Sequence, residues 1–257
     1  GDASAIRRAA EELTGSTSPR HGLARALSKR GLCSRAQAAE WIRAGRVRVD
    51  GRVVRDPEYP TTTGAHRIAV DGRDLDAFSP TRRHLMLNKP RGLVTTTHDE
   101  RGRDTVYRCF DGSGLGWIAP VGRLDKASEG LLLFSNDPEW AARITGPETG
   151  PDKTYHVQVD RIPVEADLQE MREGIECEGA LLRAKSAVLL RAGDKNAWLG
   201  IVLDEGRNRQ VRRLLAALDI GVLRLVRVAI GPLQLGELPK GQWRELTAEE
   251  VAALGGD

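Results

Sequence analysis

The sequence predicts an α+β protein in two parts. A small helix-and-hairpin module comes first, followed by a larger domain on a mainly antiparallel mixed sheet with flanking helices. Three observations carry that reading. Beyond His84, short runs rich in Val, Leu and Ile are interrupted by scattered amphipathic stretches, without the regular strand–helix alternation of a parallel sheet. Before it, the pattern Arg48-Val49-Asp50-Gly51-Arg52 recurs as Ala69-Val70-Asp71-Gly72-Arg73, and each Asp-Gly is a hairpin turn signal. Between the two lies Ser79-Pro80-Thr81-Arg82-Arg83, a polar, proline-containing stretch that reads as a linker over 79–83.

The elements follow in order. Residues 1–20 mix Ala, Ser, Thr and charge and are expected to form a mobile tail. The first module then runs over 21–78. Gly22–Arg30 reads as a short helix, and Ser34 with Gln37 opens a second that closes at Gly45. The two Asp-Gly hairpins complete about sixty residues, enough for a small independent core. Over 84–257 the expected strands are His84–Asn88, Leu93–Thr97, Trp117–Val121, Gly130–Ser135, Thr154–Asp160, Ser186–Leu190, Ala197–Leu203 and Leu223–Ile230. Asp137 followed by Pro138 starts a helix, because proline's missing N–H costs nothing there. Further helices are expected at Pro163–Glu173, at Asn208–Leu218, and after the Thr247/Glu250 capping pair up to Gly255.

Composition narrows the function. The net charge of +3 over 257 residues conceals an uneven spread. Between Arg20 and Arg55 stand ten basic residues against Glu40 and Asp50 alone, the electrostatic footprint of a phosphate-bearing partner, most simply nucleic acid. Cys33, Cys109 and Cys177 lie far apart, so neither a disulfide framework nor a zinc site is suggested, and a reducing compartment such as the cytoplasm fits best. No apolar run approaches the ~18 residues of a membrane span. The Gly112–Gly116 stretch matches no phosphate-cradling fingerprint.

One loop stands out as a chemical site. Val121-Gly122-Arg123-Leu124-Asp125-Lys126-Ala127-Ser128 places a carboxylate between two apolar runs. Such an Asp often only makes a turn, yet backed by a rigid sheet and met by a cation it is a candidate nucleophile or general base. A partner is available on the Asn208–Leu218 helix. There Val211, Leu214, Leu215 and Leu218 face the core, Arg212 lies on the flank, and Arg209 and Arg213 point away, where phosphates would meet them. In Lys153-Thr154-Tyr155-His156-Val157-Gln158-Val159, Tyr155 heads the apolar face at the strand's start, where a ring can stack on a base or move a proton. The five histidines show no triad-like spacing.

Taken together, these residues resemble the S4-domain ribosomal RNA pseudouridine synthases, the RsuA family, and the large-subunit type more than the small. The likeness runs from about Gly22 to Thr247. Ser28–Arg35 and Gly45–Gly51 are similar to the S4 RNA-binding module; Leu87–Gly92, Gly122–Asp125 with Gly130–Leu133, Lys153–Tyr155, Glu205–Arg213 and Leu223–Leu233 match five motifs in the family's order. The resemblance implies a pseudouridine-synthase-like catalytic domain that isomerises uridine in RNA without metal or cofactor. It implies Asp125 as the essential carboxylate, Tyr155 stacking on the base and Arg212 pairing with Asp125. Leu225 would pack on the flipped base, while Arg123, Lys89, Arg209 and Arg213, with Arg30, Arg35, Arg46 and Arg48 of the S4 module, would contact the RNA. The implied partner is ribosomal RNA or a pre-ribosomal particle, bound by a monomer.

Overall fold

A computed structural model of the chain describes residues 20–62, 64–77, 80–96, 104–207 and 209–255. It divides into two compact units between Pro80 and Thr81. The expected tail lies outside the described residues except for Arg20, and Ser79, Thr97 and Asn208 lie outside them as well.

In the first unit, α1 (Leu23–Lys29) and α2 (Arg35–Arg43) pack on a four-stranded antiparallel sheet. Its strands are β2 (Val47–Val49), β3 (Arg52–Val53), β5 (Ile68–Val70) and β6 (Arg73–Asp74), in the order β3-β2-β5-β6. Both Asp-Gly pairs have positive φ at each residue, the conformation a two-residue hairpin needs to match strand twist. Ser34 caps α2, its hydroxyl accepting from Gln37 N at 3.0 Å. Leu23, Leu27, Ile42, Val47 and Val49 fill the core. Cys33 is buried with them, and desolvation pushes its thiol up to about 12, so it is inert. A separate ribbon, β1 (Arg20–Gly22) on β4 (Pro60–Thr62), has no alternation in the sequence to announce it.

The second unit is built on one large sheet. Its strands are β7 (His84–Lys89), β8 (Ala119–Val121), β9 (Glu129–Ser135), β10 (Lys153–Val159), β13 (Ser186–Ala192), β14 (Ala197–Leu203), β15 (Val222–Ile230), β16 (Leu233–Gln234) and β17 (Trp243–Glu245). The main path is β13-β14-β10-β15-β9-β7-β17, with β8 on β9 and β16 on β15. Among the described residues every pairing of these strands is antiparallel except β15 with β9. A small hairpin, β11 (Ile175–Cys177) with β12 (Ala180–Leu182), stands apart.

Among the described residues, four helices cover this sheet. Asp137 caps α3 (Pro138–Thr145), and the Thr247/Glu250 pair bonds reciprocally at 3.0 and 3.1 Å to start α6 (Ala248–Gly255). α4 (Glu165–Glu173) and α5 (Gln210–Ala217) lie over β10, β13 and β14, enclosing Val157, Leu199, Ile201, Leu214 and Leu215. β9 is buried along its whole length, with Leu131 and Leu133 against Trp140 of α3 and Leu132 and Phe134 against the 3-10 turn Val106–Phe110. That two-sided burial explains why Gly-Leu-Leu-Leu-Phe reads as a continuous apolar run.

Two expected elements are corrected. Leu93–Thr97 is not a strand over its described residues; Val94 makes one isolated bridge to Thr105, and the Thr95 hydroxyl is tied to Leu124 instead. The helix expected from Asn208 begins at Gln210, because Arg209 is left-handed with φ 53° and cannot continue a right-handed helix.

Candidate active site

The parallel pairing of β9 with β15 assembles the site. It sets Glu129 beside Val226 and Gly130 beside Arg227, while β10 on the other flank of β15 sets Val157 beside Leu225 and Tyr155 beside Arg227. Three segments remote in sequence thereby meet, and α5 closes over them. Gly130 is required for the approach: at φ 105°, a Cβ would stand 2.2 Å from the Arg227 carbonyl oxygen. The result is a cleft of about 620 Å³ lined by Arg123, Asp125, Tyr155, Arg209, Arg212 and Leu225, among others.

The Asp125 loop is held from beneath. Lys89, fully buried, donates to the carbonyls of Pro90 at 3.1 Å, Lys126 at 3.3 Å and Ser128 at 2.7 Å. The Thr95 hydroxyl donates to Leu124 O at 2.8 Å, Gly92 N donates to Lys126 O at 2.7 Å, and Ser128 N closes a turn onto Asp125 O at 2.9 Å. Desolvation lowers Lys89 to about 8, with the charges of Glu129, Cys109 and Asp125 opposing the fall. Lys89 is therefore corrected from an RNA contact to the internal brace of the loop, since its donors point at backbone and no part of it is exposed.

The Asp125 carboxylate is one-third exposed to the cleft. Its near partner is Arg209, whose Nη1 donates to Oδ2 at 3.0 Å; Arg212 Nε stands 4.0 Å from the same oxygen. Arg212 is the more enclosed of the two and donates from Nη2 to the Ser128 hydroxyl at 3.3 Å, while its buried Nε has no hydrogen-bond acceptor. Burial, then the charge of Arg209, lowers the Arg212 guanidinium from its ordinary value, with Asp125 opposing. The expected geometry is thus corrected in one respect: Arg209 turns toward Asp125 instead of away, because its left-handed backbone breaks the helical phase from which its direction was read. Arg213 points elsewhere, with Nη2 donating to Cys177 O at 3.4 Å and lying 3.6 Å from Glu178.

The cleft is apolar at Tyr155 and Leu225. Tyr155 is part-buried against the α4–α5 core, and Leu225 is 5 % exposed in the same cluster. Arg123 is exposed at the rim. Lys153 and Arg227 also line the cleft, and neither was singled out among the site residues from the sequence. Arg227 looks like a core-facing mistake in a β-strand until its neighbours are known; Lys153 was legible as the start of a strand and of the Lys153–Tyr155 motif, with no role of its own. Among the described residues no group of three or more His, Cys, Asp or Glu side chains converges as a metal ligand set.

Within the first unit, Arg30, Arg35, Arg46 and Arg48 are all exposed. Arg30 pairs with Asp76 at 2.9 Å, and Arg46 grips Asp71 with two bonds at 3.0 and 2.6 Å while lying 5.2 Å over the Trp41 ring. Arg48 donates to Gly51 O at 3.2 Å.

A carboxylate and two guanidinium groups meet in one cleft beside Tyr155 and Leu225, in a chain whose first unit carries exposed arginines. The model for the family "RNA pseudouridylate synthase" matches residues 83–217, and that for the S4 domain matches 22–66. The chain belongs to the RNA pseudouridylate synthase family, and is by that membership an isomerase. Among curated relatives it is 36 % identical over 234 residues to ribosomal large subunit pseudouridine synthase B of Bacillus subtilis, covering 90 % of this chain and 94 % of that one. It is 37 % identical over 230 residues to an RNA pseudouridine synthase of Aquifex aeolicus, covering 89 % and 91 %. A crystal structure of a pseudouridylate synthase superposes with a TM-score of 0.62 at 32 % identity, covering 91 % of this chain and 99 % of that chain.

Proposed function

We propose that this protein converts one uridine of large-subunit ribosomal RNA to pseudouridine, using Asp125 as its essential carboxylate and neither metal nor cofactor. The observation that carries the reading is the Asp125 carboxylate, ionically paired yet open to a cleft whose floor is Tyr155 and Leu225. The names of the relatives support the large-subunit target.

The chemistry breaks the N1–C1′ bond, turns the uracil within the cleft, and joins C5 to C1′, with the C5 proton lost at the end. Asp125, paired with Arg209 and faced by Arg212, acts at C1′ or takes a proton from the sugar. Tyr155 stacks on the freed base and assists departure of the C5 proton, while Leu225 packs on its other side. The target nucleotide must leave its stack to reach the floor, which favours loop or unpaired uridines. Residues 21–78 act as the S4 RNA-binding domain, with Arg30, Arg35, Arg46 and Arg48 contacting the backbone more than base edges. Residues 84–257 form the catalytic domain, 79–83 the linker, and the protein works as a cytoplasmic monomer.

RNA carrying tritium at uridine C5 tests this directly. Tritium release from large-subunit RNA is expected, at a single site mapped by carbodiimide-dependent reverse-transcription stops. No release from any ribosomal RNA or partly assembled subunit would overturn the proposal, and free uracil among the products would instead indicate hydrolysis.

A further inference from the structure

The cleft that holds Asp125 and Tyr155 is also lined by Arg227, Lys153, Gly122 and Thr145. Arg227 is 5 % exposed. Its Nε donates to Leu131 O at 2.8 Å, which fixes the guanidinium, and its Nη2 is buried without a hydrogen-bond partner. Neither Arg227 nor Lys153 forms an ion pair among the described residues. Asp152, next to Lys153 in the chain, is engaged by Lys185 at 2.7 Å. Burial first, and then the charge of Arg227, holds Lys153 below its ordinary value.

Two like charges lining one cleft, one with a buried donor unpaired, are unfavourable without a counter-charge. Both costs are relieved by one ligand chemistry, an oxyanion carrying a formal charge. A neutral carbonyl satisfies the donor but leaves the repulsion in place. Arg227 is also the cross-strand neighbour of Tyr155, so an anion bound there lies next to a base on the cleft floor. We infer that Arg227 and Lys153 form a phosphate subsite that takes the phosphodiester adjoining the target nucleotide. The subsite rests on the reading of the Asp125 cleft as the uridine site. It gives the enzyme a fixed anchor for the extruded nucleotide, independent of the S4 unit, with Arg227 and Lys153 as positioning residues for the reaction.

Salt dependence reads phosphate contacts directly, since each one lost removes roughly 0.7–0.9 from the slope of log K against log salt. The full-length protein, with Lys153→Gln and Arg227→Lys variants, is titrated with a large-subunit RNA transcript at several salt concentrations, and tritium release is followed on the same samples. Lys153→Gln is expected to flatten the binding slope by about one contact and to raise KM about tenfold at low salt. Its kcat at saturating RNA should stay within a few-fold of wild type. Arg227→Lys, which keeps the charge, should hold the slope. A methylphosphonate at the one phosphate beside the target should weaken wild-type binding and weaken Lys153→Gln, which keeps Arg227 alone, by less. An unchanged slope in Lys153→Gln, or a loss falling on kcat alone, overturns the subsite and favours a contact to a base carbonyl. Absence of tritium release by wild type would instead defeat the reading of the Asp125 cleft, while the binding slopes still decide the phosphate contact.

Discussion

Asp125 and Glu129 stand four residues apart on the same turn into β9, and their surroundings differ in almost every respect. Glu129 is 2 % exposed and is gripped by a fork of two bonds from Arg224 at 3.1 and 2.9 Å and by Lys240 at 2.9 Å. Burial alone would raise its carboxyl; the Arg224 bonds and the Lys240 ammonium outweigh that and hold it below the usual range. Asp125 is one-third exposed, with one guanidinium at 3.0 Å and another at 4.0 Å. The first carboxylate has its oxygens committed to joining β9, β15 and the segment before β17. The second keeps an oxygen face toward a cleft. A carboxylate saturated by cations is a structural joint, whereas one oriented from the side and open in front can meet a substrate.

The sharpest way to break this contrast is to remove each charge in turn. Asp125→Asn should lower tritium release by about 10³-fold or more while RNA binding stays within a few-fold, because the loop is shaped by backbone bonds that the amide keeps. Equal loss of binding would remove Asp125 from the chemistry. Glu129→Gln should do the reverse. Urea denaturation should show a loss of about 1–3 kcal/mol, and activity per folded molecule should change little. The pH dependence has a definite sign. Glu129 binds its proton less tightly folded than unfolded, so its contribution is present above the unfolded carboxyl pKa and fades as pH falls below it. Glu129→Gln should therefore flatten the acid limb of the stability curve.

Next in size is Lys89→Met, which removes the brace beneath Asp125 without touching the cleft. A shift of the loop by about an ångström should cost about 10²-fold in kcat, with KM for RNA little changed. Wild-type activity should also decline above about pH 8 as the Lys89 ammonium loses its proton. Stability moves the other way. Because Lys89 holds its proton less tightly when folded, the wild type gains stability as pH rises from about 8 toward the unfolded lysine value, and Lys89→Met loses that gain.

The smallest effects should separate the two arginines. Arg209 is half exposed, and such ion pairs contribute little, so Arg209→Ala should lower kcat/KM only a few-fold. Arg212 is enclosed, with Nε facing Asp125 and Nη2 on Ser128, so Arg212→Ala should lower it tenfold or more. The reverse order in steady-state kinetics would make Arg209 the functional partner.

Local patterns in the sequence were enough for those features that depend on neighbours along the chain. The Asp-Gly hairpins, the Ser34, Asp137 and Thr247 caps, the period-two faces of β10 and the apolar stripe of α5 all rest on φ preferences and side-chain spacing within a few residues. The order of motifs was likewise enough to place the family. Tertiary structure alone decided which charges meet. The direction of Arg209 depends on one left-handed residue, the role of Lys89 on carbonyls 37 and 39 positions away, and the place of Arg227 in the cleft wall on a parallel pairing of β9 with β15. Charge–charge energies depend on separation and burial through space. Sequence spacing carries neither, so the chain itself marks Asp125 as a candidate, and only the folded sheet distinguishes it from Glu129.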